Sequence, residues 1–319
     1  MFTGLLNFLI LGNMSDRKNK IIVPLDFHEQ SMIALEQTRG IARFMNAEVI
    51  ILYIIESTDI ITSMFMKEDQ QKRIYSEVEN KLNELAVSTS EKFGQPVSVR
   101  IEKGKVYEQI LKVADEVKAR FIIMGKNDVD DGYKKFIGSN TSHVITNSDC
   151  PVITIKGKEH NLGVKNIVLP LDLTKKTREK VFNAVSFGLH FNSTIWMVSV
   201  LTGGISLTSS RIYAKMKRAK EMIEENGVPC NIKLFKKSDV PDYEIINKYA
   251  VDIDADLIMI MTHQESRWRD HYIGRLAHEV INRSDIPVMS MIPSDPKKSK
   301  KVVKTFVDPF GIFRNKSKK

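Results

Sequence analysis

The sequence predicts an α/β protein of two tandem doubly wound domains, each built on a five-stranded parallel sheet. Three observations carry this. Short apolar runs alternate with stretches of helical periodicity along the whole chain, the pattern of βα units whose strands are covered on both faces. The strand ends occur twice: Val23-Pro24-Leu25-Asp26 returns as Leu169-Pro170-Leu171-Asp172, and Ser148-Asp149-Cys150-Pro151-Val152 returns as Ser284-Asp285-Ile286-Pro287-Val288. The first pair is separated by 146 positions and the second by 136, a repeat of domain size rather than a solenoid unit. Finally, 319 residues accommodate two domains of ordinary length. The expected boundaries are a leader over 1–17, a first domain over 18–157, a second over 163–294 and a basic tail over 295–319.

The first copy opens with an apolar strand, Lys20 to Leu25, with Asp26 at its C-terminal end. Ala34, Thr38, Ile41 and Met45 then share one helical face. Val49 to Ile55 is a second strand. A charged helix from about Lys67 to Phe93 stops at Gly94, with Pro96 just beyond. Strand Val97–Glu102, helix Val106–Val117, strand Phe121–Met124, helix Ser139–Asn147 and strand Val152–Ile155 complete the unit. The second copy follows the same plan, with strands at Asn166–Leu171, Thr194–Leu201, Asn231–Phe235, Leu257–Met261 and Val288–Ile292. Its helices fall near Lys175–His190, Thr208–Glu225, Pro241–Val251 and Tyr272–Asn282. From Tyr107 onward the copies align without a gap, Tyr107-Glu108 on Tyr243-Glu244 and Gly138 on Gly274. The ten missing positions therefore lie upstream, and the loop around Ser57 to Met66 is where they are expected.

A hydrophobic content of 42% and a charged content of 27% belong to a globular protein with a real core in each half. The formal charge of +9 is unevenly placed. Residues 295–319 hold nine Lys or Arg against Asp295 and Asp308, leaving +2 for the rest, so the overall charge does not argue for nucleic-acid binding by the domains. Phe306, Phe310, Ile312 and Phe313 interleave with those cations, a pattern that docks on an anionic membrane surface or a protein partner. Cys150 and Cys230 lie in different halves beside strands and form no metal-binding pattern, as expected of thiols in a reducing cytoplasm. The apolar stretch from Met1 to Leu11 is too short to span a bilayer, which takes about 20 residues. Met14 offers a second natural start.

Strand-Pro-x-Asp, then Ala119-x-x-Ile122-x-Met124-Gly125, then Gly138-Ser139 opening a helix that leads to Cys150-Pro151-Val152, resembles the universal stress protein family. Ala255-Asp256-Leu257-Ile258 before Thr262-His263 resembles it in the second copy. The resemblance covers nearly all of 18–157 and 163–293 and implies the adenine-nucleotide α-hydrolase-like fold. It also implies that the last strands, Val152–Ile155 and Val288–Ile292, pair across the domain interface, making an internal pseudo-dimer that can itself form a homodimer.

The resemblance further divides members into those that bind ATP and those that do not, binders sharing Gly-x2-Gly-x9-Gly-Ser/Thr and an aspartate that meets the adenine side. Glycines in such a loop let backbone amides approach phosphate, and the last Gly-Ser turns a helix N-terminus towards the anion. In the first copy Gly125 and Gly138-Ser139 stand at the right separation and Asp26 is in place, but Asp128 replaces the second glycine and Asp130 and Asp131 follow. Lys126, Lys134 and Lys135 are the cations available to offset that repulsion, and Asn140-Thr141 follows Gly138-Ser139. The candidate nucleotide residues are therefore Pro24, Leu25, Asp26, Met124, Gly125, Gly138, Ser139 and Asn140. In the second copy Met261 and Gln264 replace both loop glycines and Arg275 replaces the serine, so any ATP site belongs to the first copy alone. Gly203-Gly204 lacks a following Lys-Ser/Thr, and no Gly-x-Ser-x-Gly elbow occurs.

Three readings follow. The first is a non-enzymatic stress-response binding protein whose first domain takes an adenine nucleotide. The second is a ligand-free scaffold acting through its basic tail. The third is a weak ATP hydrolase, which needs a metal-binding carboxylate such as Asp26 or Asp128 and a positioned water.

Overall fold

A computed structural model describes residues 19–56, 68–126, 129–130, 135–136, 138–157, 163–171, 177–201, 211–236, 238–262 and 273–291. The leader, the tail, Asp128, Asp131, Asp172, His263, Gln264 and Gly203-Gly204 lie outside these residues. In chain order the first copy comprises β1 (Lys20–Pro24), α1 (Glu29–Met45), β2 (Glu48–Ile55), α2 (Glu68–Phe93), β3 (Val97–Lys103), α3 (Val106–Glu116), β4 (Phe121–Gly125), a two-residue pair β5 (Val129–Asp130) and β6 (Lys135–Phe136), α4 (Ser139–Asn147) and β7 (Val152–Ile155). The second comprises β8 (Asn166–Pro170), α5 (Thr177–Phe191), β9 (Thr194–Val200), α6 (Arg211–Glu225), β10 (Cys230–Phe235), α7 (Asp242–Asp252), β11 (Leu257–Met261), α8 (Arg275–Arg283) and β12 (Val288–Met291).

The strands form one ten-stranded sheet in the order β10-β9-β8-β11-β12-β7-β4-β1-β2-β3. Within each copy every neighbour pair of this sheet is parallel, β5 and β6 standing apart from it. The copies meet at β7 and β12, which run antiparallel with Ile153 opposite Met289. This is the expected pairing of the closing strands, and it gives each of two sheet edges a partner. Strands buried on both faces need apolar side chains throughout: Ile21, Ile22 and Val23 are all fully buried, as are Ile167 and Val168. One core layer lies under α1, α2, α5 and α6 and the other under α3, α4, α7 and α8, and both run through the two copies.

The repeated motifs have local causes. Ser148 Oγ donates to the Cys150 carbonyl and accepts from the Cys150 amide; Ser284 does the same with Ile286. Each serine thus turns the chain from helix end to strand start. The carbonyls of Pro151 and Pro287, whose missing N–H groups are not needed there, open the ladders to Ile122 and Ile258. Asn46 and Asn192 hold the same left-handed turn after the first helix of each copy, and Lys118 and Asp254 another.

Two expectations change. The segment before α4 is not a plain loop, since Val129 and Asp130 pair antiparallel with Phe136 and Lys135. Two-residue strands leave no periodicity to read. The length difference lies upstream of Tyr107 as expected, but it extends beyond the 57–66 loop. α2 has 26 residues where α6 is described over 15. The left-handed Gly94 and Gly227 that follow these helices are 133 positions apart, so thirteen positions are lost before them and three regained after. Among the described residues no helix is long and apolar enough to cross a membrane.

Candidate functional site

In each copy the chain winds outward through three strands and then returns to the other side of the first, placing the reversal between β1 and β4 and between β8 and β11. Ligands of such sheets bind beyond the C-terminal strand ends at this reversal. In the first copy it is bordered by Asp26 after β1, by Gly125 at the end of β4, and by α4 across the opposite face.

Asp26 follows an edge that Pro24 closes, and its carboxylate is organised by its own loop. Ser31 Oγ donates to Oδ1 at 2.6 Å, the His28 amide donates to the same oxygen at 3.0 Å, and His28 Nδ1 lies 3.2 Å from Oδ2. Burial raises the Asp26 pKa, but the Ser31 and His28 hydrogen bonds together outweigh it and hold the group below the ordinary carboxylate value. Asp26 is therefore an ionised acceptor at neutral pH, half open to solvent. Beside it Phe27 adopts φ 63°, an uncommon conformation for an aromatic residue, and this leaves the ring partly exposed. The ring lies 5.7 Å from that of Tyr53, with Lys81 Nζ 5.9 Å from its centroid. Sequence reading missed this aromatic shelf. The signal available was a bulky apolar residue directly after the strand-end aspartate.

The two glycines of the first copy serve different ends. A Cβ on Gly125 would lie 2.2 Å from the Gln30 carbonyl oxygen and 2.8 Å from the Ser31 nitrogen. Gly125 is thus required by the first turn of α1, which packs onto the end of β4. A Cβ on Gly138 would meet nothing within 4 Å among the described residues. Gly138 is the N-cap of α4, provides no side-chain cap, and leaves the first-turn amides of Ser139 and Asn140 without a side-chain acceptor there. Ser139 is exposed and Asn140 half-buried. Leu25 and Met124, expected at the site, turn their side chains into the two core layers, so only their backbone borders it.

Lys126 makes a contact that its place in the sequence did not indicate. Its side chain is only 2% exposed and donates from Nζ to the carbonyls of Ile281, at 2.7 Å, and Asn282 at the end of α8 in the second copy. The other expected cations, Lys134 and Lys135, have no described side chain.

The second copy builds the same border with other side chains. Met261, only 1% exposed, stands where Gly125 stands, and Gly274 opens α8 with exposed Arg275 next. A groove of about 660 Å³ lies elsewhere, against α7 and the end of β10, lined by Phe235, Val240, Tyr243, Asn247, Tyr249 and Arg283. It is away from both strand-order reversals.

The family model of the universal stress proteins matches residues 18–156 and again 163–290. The chain belongs to the universal stress protein family. A single copy matches universal stress protein MJ0577 of Methanocaldococcus jannaschii at 30% identity over 160 residues, 46% of this chain and 99% of that protein. It matches MJ0531 of the same organism at 25% over 157 residues, 46% of this chain and 87% of that protein. The tandem arrangement has its own solved counterpart, a universal stress protein from Archaeoglobus fulgidus. That structure superposes with a TM-score of 0.68 at 19% identity, covering 87% of this chain and 97% of that one. At this identity the likeness concerns the fold. Two family matches on one chain agree with the tandem α/β architecture of the structure, and this universal stress protein is a double-domain member.

Proposed function

We propose that this universal stress protein acts by binding rather than turnover, and that its first domain takes ATP or a related adenine nucleotide. The observation that carries the reading is the arrangement at the first reversal of strand order. An ionised carboxylate and an exposed aromatic ring stand on one side, and a helix N-terminus headed by a glycine that no described residue crowds stands on the other. A purine matches the first side, its amino group donating to Asp26 and its face lying on Phe27. Phosphate matches the second, where first-turn amides and the positive end of the α4 dipole face outward. The proposed site consists of Asp26, Gly138, Ser139 and Asn140, with Pro24, Leu25, Met124 and Gly125 forming its floor. The second domain serves as the structural partner.

Equilibrium dialysis of the full chain against ATP, with and without magnesium, tests this. Retained nucleotide without release of phosphate is the expected result. No retention at millimolar ATP contradicts the reading, and release of phosphate that stops on Asp26→Ala transfers the protein to the hydrolases.

A further inference from the structure

We propose that Lys126 is a positioning residue that couples the first-domain site to the second domain, so that nucleotide occupancy at β4 is felt at the end of α8. This rests on the nucleotide reading above. Lys126 immediately follows Gly125, and its amide donates to the Ile155 carbonyl at 2.8 Å, carrying the β4–β7 ladder one residue past the strand end. Its backbone is thereby fixed to the site border while its ammonium crosses the interface. There it meets the Ile281 and Asn282 carbonyls, groups that an α-helix leaves without intrahelical partners and that form the negative end of its dipole.

A lysine at 2% exposure needs such acceptors, because a desolvated ammonium without them is unstable. The link therefore holds as one unit. Displacing the end of β4 either drags the end of α8 or strands a buried charge. Nearby, Lys156 Nζ lies 3.5 Å from Asp285 Oδ1 and Thr154 Oγ1 donates to the Val288 carbonyl, so three side chains of the first domain hold the segment that leaves α8.

The repeat does not mirror this contact. At the position related to Lys126 by the repeat stands Thr262, whose hydroxyl donates to Met291 within its own domain. A threonine side chain is too short for the reach that Lys126 makes, so this contact belongs to the first-domain border alone at this pair of positions, and the coupling it carries acts equally in both directions.

Hydrogen exchange of the full chain, followed by mass spectrometry on peptides covering α8, tests the coupling with ATP as the probe. Wild type is expected to gain protection in α8 when ATP is added. In Lys126→Met, exchange at the C-terminal turn of α8 should be about tenfold faster without nucleotide, ATP should no longer change it, and affinity should fall. Lys126→Thr, which carries the residue the second copy uses here, should behave alike and provides a second variant if the first folds poorly. Wild-type binding with α8 exchange unaffected by ATP overturns the proposal. So do unchanged basal exchange and affinity in both variants. If wild type binds no ATP, the nucleotide reading and its coupling fall together, a result separable from these because dialysis reports it directly.

Discussion

The two domains share strand order, turn residues and closing motif, yet they seat their first helices on the sheet differently. In the first, Gly125 lets the Gln30 backbone come down onto the end of β4, and Ala34 in α1 is fully buried. In the second, the same positions hold Met261 and Lys180, 1% exposed each. Small residues facing each other bring helix and strand together, and large ones fill the space between them, since interiors are close-packed either way. The difference shows what a duplicated fold can change without changing topology. The border of a site is set by side-chain volume at a few contacts, while the strand order is set elsewhere.

The largest effect should come from moving one domain's solution into the other. Gly125→Ala places a Cβ against backbone atoms that cannot rotate away, and should cost about 3 kcal/mol in urea unfolding. Gly138→Ala, at a cap with φ −54° and no described atom near the added Cβ, should cost no more than about 1 kcal/mol. Equal costs would show that the glycines do not have separate roles.

A second contrast lies along the seam between α1 and α5. Phe44 stacks on Phe191 at 4.6 Å and meets His190 edge-on at 5.1 Å. His190 is the repeat counterpart of Phe44, so the two domains meet through an aromatic residue and an imidazole. Burial, followed by the nearby Arg120 charge, pushes the His190 pKa down to about 4. As pH falls below the unfolded value of about 6.5, the unfolded chain takes up the proton first. The stability this neutral imidazole provides is thus complete above that value and is lost as pH falls towards the folded one, amounting to about 3 kcal/mol. His190→Phe should flatten stability against pH between about 4 and 6.5, and an unaltered profile would remove His190 from the account.

Much of this was legible in the sequence because it depends on pattern. Apolar runs, the serine-led turns before Pro151 and Pro287, and the glycine opening α4 are local devices whose residue types state their geometry. Asp26 was legible for the same reason. What escaped detection depended on distance in three dimensions. Nothing in the order Gly125-Lys126 says that one faces the Gln30 backbone and the other crosses to Ile281, 155 positions away. Phe27 escaped because its exposure follows from one left-handed φ. Gly125 and Gly138 looked equivalent as letters and became distinct only when their surroundings were known.

The central claim is that only the first domain retains a ligand site, and calorimetric titration of ATP into matched variants tests it most directly. Wild type should take up one nucleotide per chain. Asp26→Asn, which puts amide donors where an acceptor is needed, should weaken binding at least about tenfold. Arg275→Ser, at the corresponding helix opening of the second domain, should leave binding unchanged. Two nucleotides per chain, or loss of binding on Arg275→Ser with Asp26→Asn unaffected, would contradict it.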